Sequence, residues 1–150
     1  MYKNIMVPFD DSKTAHSALS EAIKIAKINH SKIRIINVVD QLIFSWVGIP
    51  IDIREIQATY KKEQREILEK AAAIVKQQDI EVETHLIELF TESHRIADKI
   101  IEEADQWPAD LIVIGTHGRR GVGRLLLGSV AEGVVRLTNK PVLLIRGKEK

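Results

Sequence analysis

The chain has 150 residues, of which 45% are hydrophobic and 29% charged, and its formal net charge is +1. That length suits one domain spanning 1–150, able to bury roughly 68–70% of the surface its unfolded form exposes without disulfide or metal staples. The near-neutral balance offers no electrostatic case for nucleic acid or an anionic membrane, and the lack of cysteine excludes disulfides, thiolate metal sites and cysteine nucleophiles.

The opening MYKNIMVPFDD holds one lysine and a short apolar run broken by Pro8, Asp10 and Asp11. It lacks the shape of a secretory signal. Residues 3–8 read as a buried strand. Residues 12–30 place Ala15, Ala18, Leu19, Ala22, Ile23 and Ala26 at helical spacing, with Ser12 as N-cap. The β-branched KIRIINVV (32–39) reads as a strand. LIFSWVGIPI (42–51) has no clean period and is about half the ~20 residues a membrane helix needs, so it reads as a loop and the protein as cytoplasmic.

Residues 52–78 are rich in helix formers and free of internal proline and glycine. Ile53, Ile56, Tyr60, Ile67, Leu68, Ala71 and Val75 mark the buried stripe of one long helix. A strand with one wetter face follows at 80–89, a helix at 93–106, a strand at 110–115, a short helix at 129–138 and a last strand at 141–146. Apolar strands alternating with helices predict an α/β fold: a parallel sheet covered on both faces. Ligands of such sheets bind beyond the carboxyl ends of the strands, where strand order reverses. Those ends here are VPFDD, NVVDQ, LIELF and VIGTHG.

The last of these opens GTHGRRGVGRLLLGS (115–129), with five glycines, three arginines and three consecutive leucines. A strand, a glycine-rich loop and a helix start together make a recurring phosphate cradle, because glycine admits close backbone approach and the helix start offers unpaired N–H donors. Ser129 and Glu132 match a capping box, with Ser129 as N-cap and the amides of Val130 and Ala131 open to a ligand. Leu125, Leu126 and Leu127 read as an anchor tying the loop to the core. The P-loop pattern fails: Gly118 and Gly123 are followed by Arg124 and Leu125, with no lysine or hydroxyl. The dinucleotide fingerprint fails too, since Gly121 and Gly123 are followed by leucine at 126. The histidines His16, His30, His85 and His94 show no metal-ligand spacing.

The spacing that does fit is Gly115-x2-Gly118-x9-Gly128-Ser129. With NIMVPFDDS, IINVVD and the 38 residues from ADLIVIG to PVLLIR, it resembles the ATP-binding universal stress proteins over nearly the whole chain. The resemblance implies a single-domain, Rossmann-like fold with five parallel strands in the order 3-2-1-4-5. It implies a homodimer formed through the last strand (141–146) and a role in stress regulation. It implies ATP, with AMP and cyclic AMP as alternatives, lying over the strand ends. By motif position, Pro8 and Asp10 approach the nucleoside and Val38 contacts adenine. Gly115, His117, Gly118 and Arg119 line the ribose and phosphates, and Gly128, Ser129 and Val130 hold phosphate. Asp10 and phosphate oxygens could share Mg²⁺; no protein cluster forms a metal site by itself. The chain departs from the family at 90–92, where Phe90 and Glu92 stand for the glycine and proline of a G-x-P turn. Phe90 there would stack near the base or narrow its pocket. No catalytic residue is assigned, and hydrolysis is expected to be slow. Two other readings remain open at this point: an ATP-using hydrolase or adenylyl-transfer enzyme, and a nucleotide-free dimeric interaction module.

Overall fold

A computed structural model of the chain describes residues 1–41, 52–90, 95–117 and 127–147. Strands and helices alternate through them as β1 (Asn4–Pro8), α1 (Lys13–Asn29), β2 (Lys32–Asp40), α2 (Ile53–Lys76), β3 (Val82–Leu89), α3 (Ile96–Gln106), β4 (Leu111–Gly115), α4 (Ser129–Leu137) and β5 (Val142–Ile145). The strands are parallel and lie in the order β3-β2-β1-β4-β5. Ile5 of β1 faces Ile33 of β2 on one side and Leu111 of β4 on the other. The predicted fold class and strand order are therefore both observed.

Local chemistry explains where elements start and stop. Ser12 caps α1, its hydroxyl accepting the Ala15 amide at 3.2 Å. His30, at φ 55°, turns the chain out of α1 in the left-handed region. The third strand begins at Val82 rather than 80, because Asp79 sits at φ 58° and the chain is still turning there. The third helix starts at Ile96, where the Asp98 carboxylate accepts the Arg95 amide at 2.9 Å.

Pleat alternation divides the core in two. On one face Ile5, Val7, Ile33, Ile35 and Val113 meet α1 and α2 through Ala18, Leu19, Ala22, Leu68 and Val75. On the other, Met6, Ile36, Ile112 and Ile114 meet α3 and α4 through Ala97, Ile100, Ala131 and Val134. Burying each large aliphatic side chain contributes about 1.5–3 kcal/mol. Alanines at helix–sheet contacts let the helices sit close. The α2 stripe includes one polar member. Gln64 is buried, and Asn37 of β2 donates to its side-chain oxygen at 2.6 Å. Ile56, nearer the start of α2, is 41% exposed and does not join the core.

Beside the second core, β2, β3 and α3 share a charged network. Arg34 donates to Glu83 at 2.5 and 3.1 Å and to Glu103 at 2.6 Å. The Trp107 indole N–H donates to Glu83 at 3.2 Å, and the Arg34 guanidinium lies 5.0 Å from the centre of the Trp107 ring. Lys32 lies 2.6 Å from Glu83, and His85 Nδ1 lies 2.7 Å from the buried Glu103 carboxylate. Hydrogen bonds from Lys32, then Arg34, hold the Glu83 carboxyl down to about 2 from its ordinary 4.5.

Helix α1 crosses the end of β4 with almost no clearance. A Cβ on Gly115 would lie 2.6 Å from Thr14 Oγ1 and 2.7 Å from Thr14 Cβ. The Thr14 hydroxyl donates to the His117 carbonyl, so the first turn of α1 is tied to the chain leaving β4. Gly115→Ala is expected to cost about 1–3 kcal/mol by forcing these elements apart; a denaturant midpoint equal to the parent's would contradict the contact. Glu83→Gln is expected to cost about 1 kcal/mol near neutral pH. Because the folded-state carboxyl titrates below the unfolded one, this contribution is fully present above about 4.5 and is lost as pH falls towards about 2. Urea titrations of parent and variant should converge across that window; a gap that stays constant would contradict the network's role.

Candidate functional site

Strand order reverses at the β1–β4 pair, so the crevice lies beyond their carboxyl ends. The helix after β1 packs on one face of the sheet and the helix after β4 on the other. The two exits touch where the Thr14 hydroxyl donates to the His117 carbonyl, and the helices beyond them run to opposite faces.

On the β1 side, Phe9 is held to the sheet by its amide, which donates to the Ile36 carbonyl at 2.8 Å. Asp10, partly buried, accepts the Ser12 amide at 3.0 Å and so closes the turn into α1. Asp11 adopts φ 66°, and its carboxylate lies 2.8 Å from His16 Nε2. The His16 ring meets buried Phe9 edge to face at 4.9 Å. Asp10 is thus part of the strand-to-helix turn, whereas Asp11 and His16 form an exposed pair on its outer side. Pro8 ends β1, and Val38 lies on the adjoining β2. Val38 and Val130 of α4 pack against the same apolar cluster on the α3–α4 face.

On the β4 side, one buried residue organises the geometry. The Thr116 amide donates to the Ile145 carbonyl of β5 at 2.9 Å. Its carbonyl accepts the Gly128 amide at 2.7 Å. Its hydroxyl lies 2.9 Å from His117 Nδ1. The chain therefore leaves the sheet and returns to start α4 at the same residue. His117 Nε2 is buried and has no hydrogen-bond partner among the described residues.

The expected cap of α4 is shifted by one residue. Gly128 is the N-cap, its carbonyl accepting the Glu132 amide at 3.0 Å, and Ser129 is the first helical residue. The capping box is absent: no side chain caps this helix. The reason is the Thr116–Gly128 bond, which fixes Gly128 as the last extended residue and starts the helix there. The unpaired amides at the helix start are then those of Ser129, Val130 and Ala131. The Ser129 side chain is exposed.

Of the other predicted site residues, Gly115 has the packing reason given above, which operates with or without a ligand. Gly118, Arg119, Arg120, Arg124, Leu125, Leu126 and Glu92 lie outside the described residues. Leu127 is 40% exposed, so this leucine does not anchor the loop in the core. Phe90 is 62% exposed at the end of the edge strand β3, which β2 separates from β1. Among the described residues no three histidine or acidic side chains are placed to hold a metal. A separate cavity of about 420 Å³ opens near the amino-terminal edge of the sheet, lined in part by Lys3, Lys27, His30, Lys32 and Asp79. Its lysines are already engaged: Lys3 by the Asn29 carbonyl, Lys27 by Gln78 and Lys32 by Glu81 and Glu83. It is a solvated rim rather than a ligand site. Residue-type reasoning missed Thr14 and Thr116. A hydroxyl directly before a histidine at a strand's carboxyl end was the available signal for the second.

Comparison with known proteins agrees with this architecture. The family model described as the universal stress protein family matches residues 1–146. The universal stress protein MJ0531 of Methanocaldococcus jannaschii is 35% identical over 152 residues, covering 100% of this chain and 85% of that protein. The solved structure of hypothetical protein MJ0577 superposes with a TM-score of 0.85 at 25% identity, covering 100% of this chain and 99% of the other. A universal stress protein from Archaeoglobus fulgidus, solved in complex with dAMP, has a TM-score of 0.65 at 28% identity, with 96% and 98% covered. The chain belongs to the universal stress protein family.

Proposed function

We propose that this protein binds an adenine nucleotide, ATP foremost, across the carboxyl ends of β1, β2 and β4, and uses its occupancy as a regulatory signal in stress responses. The observation that carries the reading is the bond from Gly128 to Thr116. It brings the amides at the start of α4 and the unpartnered His117 Nε2 to the same turn. Helix N-termini favour anions through unpaired N–H groups and the helix dipole. The dAMP complex of the Archaeoglobus fulgidus relative supports an adenine nucleotide as the anion.

In this reading Gly128, Ser129 and Val130 hold phosphate through the helix start. His117, with Gly118 and Arg119, lines the ribose and phosphates where the chain leaves β4 at Gly115. Pro8 and Asp10 approach the nucleoside and Val38 contacts adenine. ATP would enter as its Mg²⁺ complex, with Asp10 near the metal. The protein acts as a cytoplasmic homodimer paired through its last strand. Turnover is slow, because His117 Nδ1 meets the Thr116 hydroxyl and, among the described residues, no carboxylate orients the ring as a base. Binding with a dissociation constant near 1 μM corresponds to about −8.2 kcal/mol.

Ligand at about 1,000 times that constant stabilises the fold by about 4.1 kcal/mol. Protein stripped of copurified nucleotide should therefore melt several degrees higher in millimolar Mg-ATP, and Gly128→Val should abolish the gain. An unshifted melting point in the parent would contradict nucleotide binding.

A further inference from the structure

We infer that Thr116 is a positioning residue that fixes His117 as the Nε2–H tautomer, making the neutral ring a hydrogen-bond donor to a phosphate oxygen. The ligand in this inference rests on the nucleotide reading above; the ring geometry does not.

The Thr116 side chain is well placed to hold a ring still. The residue is 6% exposed, and its main chain is bonded on both sides, to Ile145 of β5 and to Gly128 of α4. Its hydroxyl lies 2.9 Å from His117 Nδ1. His117 is held from the other side as well, its carbonyl accepting the Thr14 hydroxyl of α1. The ring is thus pinned at Nδ1, while Nε2 is buried and has no partner among the described residues.

Hydrogen-bond bookkeeping decides the tautomer. A neutral imidazole has one N–H donor and one bare acceptor nitrogen, and a hydroxyl can serve either role. A phosphate oxygen at the start of α4 can only accept. If Nδ1–H donated to Thr116, bare Nε2 would present a lone pair to that oxygen. If the Thr116 hydroxyl donates to Nδ1, the proton resides on Nε2, the buried nitrogen that has no partner among the described residues. Of the two neutral tautomers, only this one satisfies both nitrogens once phosphate is bound. The partner of one ring nitrogen sets the chemistry of the other.

Thr116→Val keeps the shape and both main-chain bonds but removes the hydroxyl; Thr116→Ser restores it. The first readout is the ¹⁵N NMR spectrum of the histidine rings in nucleotide-free protein, with His117 assigned by its loss in His117→Asn. The parent and Thr116→Ser should show a proton on Nε2 and a hydrogen-bonded, unprotonated Nδ1, and Thr116→Val should lose that Nδ1 signature. A proton on Nδ1 in the parent, or a ring unchanged by Thr116→Val, overturns the inference whatever the protein binds. The second readout is affinity. Thr116→Val should weaken ATP binding about three- to tenfold, the range of one hydrogen bond. Thr116→Ser should stay within about twofold, and binding of adenosine, which has no phosphate, should not change. Equal losses for ATP and adenosine overturn the phosphate assignment. A parent that binds no ATP while its ring behaves as expected overturns the nucleotide reading instead, and the NMR result tells the two failures apart.

Discussion

The structure depends on one constraint: β1 and β4 are neighbours in a parallel sheet whose two faces are both buried. Each strand must hand its chain to a helix, and the helices after these two strands cover opposite faces. Strand order reverses at this pair, and such a reversal is where a ligand crevice forms at the carboxyl edge of a parallel sheet. That edge carries the Asp10 turn after β1 and Thr116, His117 and Gly128 after β4. What lies there is polar because both exits need their main-chain groups satisfied: Asp10 accepts the Ser12 amide, and Thr116 accepts the Gly128 amide. The start of α4 supplies main-chain donors there, with no side-chain cap.

This divides the glycine motif into parts with different reasons. Gly115 is small because Thr14 of α1 occupies the space a Cβ would take. Gly128 is the extended residue from which α4 starts, held by Thr116. The first is a packing requirement and the second fixes where α4 starts. A glycine pattern characteristic of a binding family can therefore be kept partly by the fold's own contacts.

The element order was readable in full, because strands buried on both faces appear as apolar runs and the helices between them keep a clear period. Errors in the elements fell at ends and caps, and errors in burial at Ile56 and Leu127. The third strand was set two residues early, because buried Ile80 looks like strand although the chain turns at Asp79. Ser129 looked like a cap because the Ser129–Glu132 spacing is right, but the bond from Gly128 to Thr116 is made across the whole loop and no local pattern encodes it. The same holds for Arg34, Glu83, Glu103 and Trp107, which are far apart in the chain and meet only once β2, β3 and α3 are assembled. Of the candidate site, Asp10, His117 and Gly128 stand out by motif, whereas the contacts of Thr116 with Ile145, Gly128 and His117 required coordinates.

The central claim is that this carboxyl edge holds an adenine nucleotide. Native mass spectrometry of freshly purified protein, before and after addition of Mg-ATP, tests it most directly. The account predicts a dimer carrying one adenine nucleotide per chain, with the added mass lost in Gly128→Val. A parent protein that keeps its bare polypeptide mass at saturating Mg-ATP would contradict it.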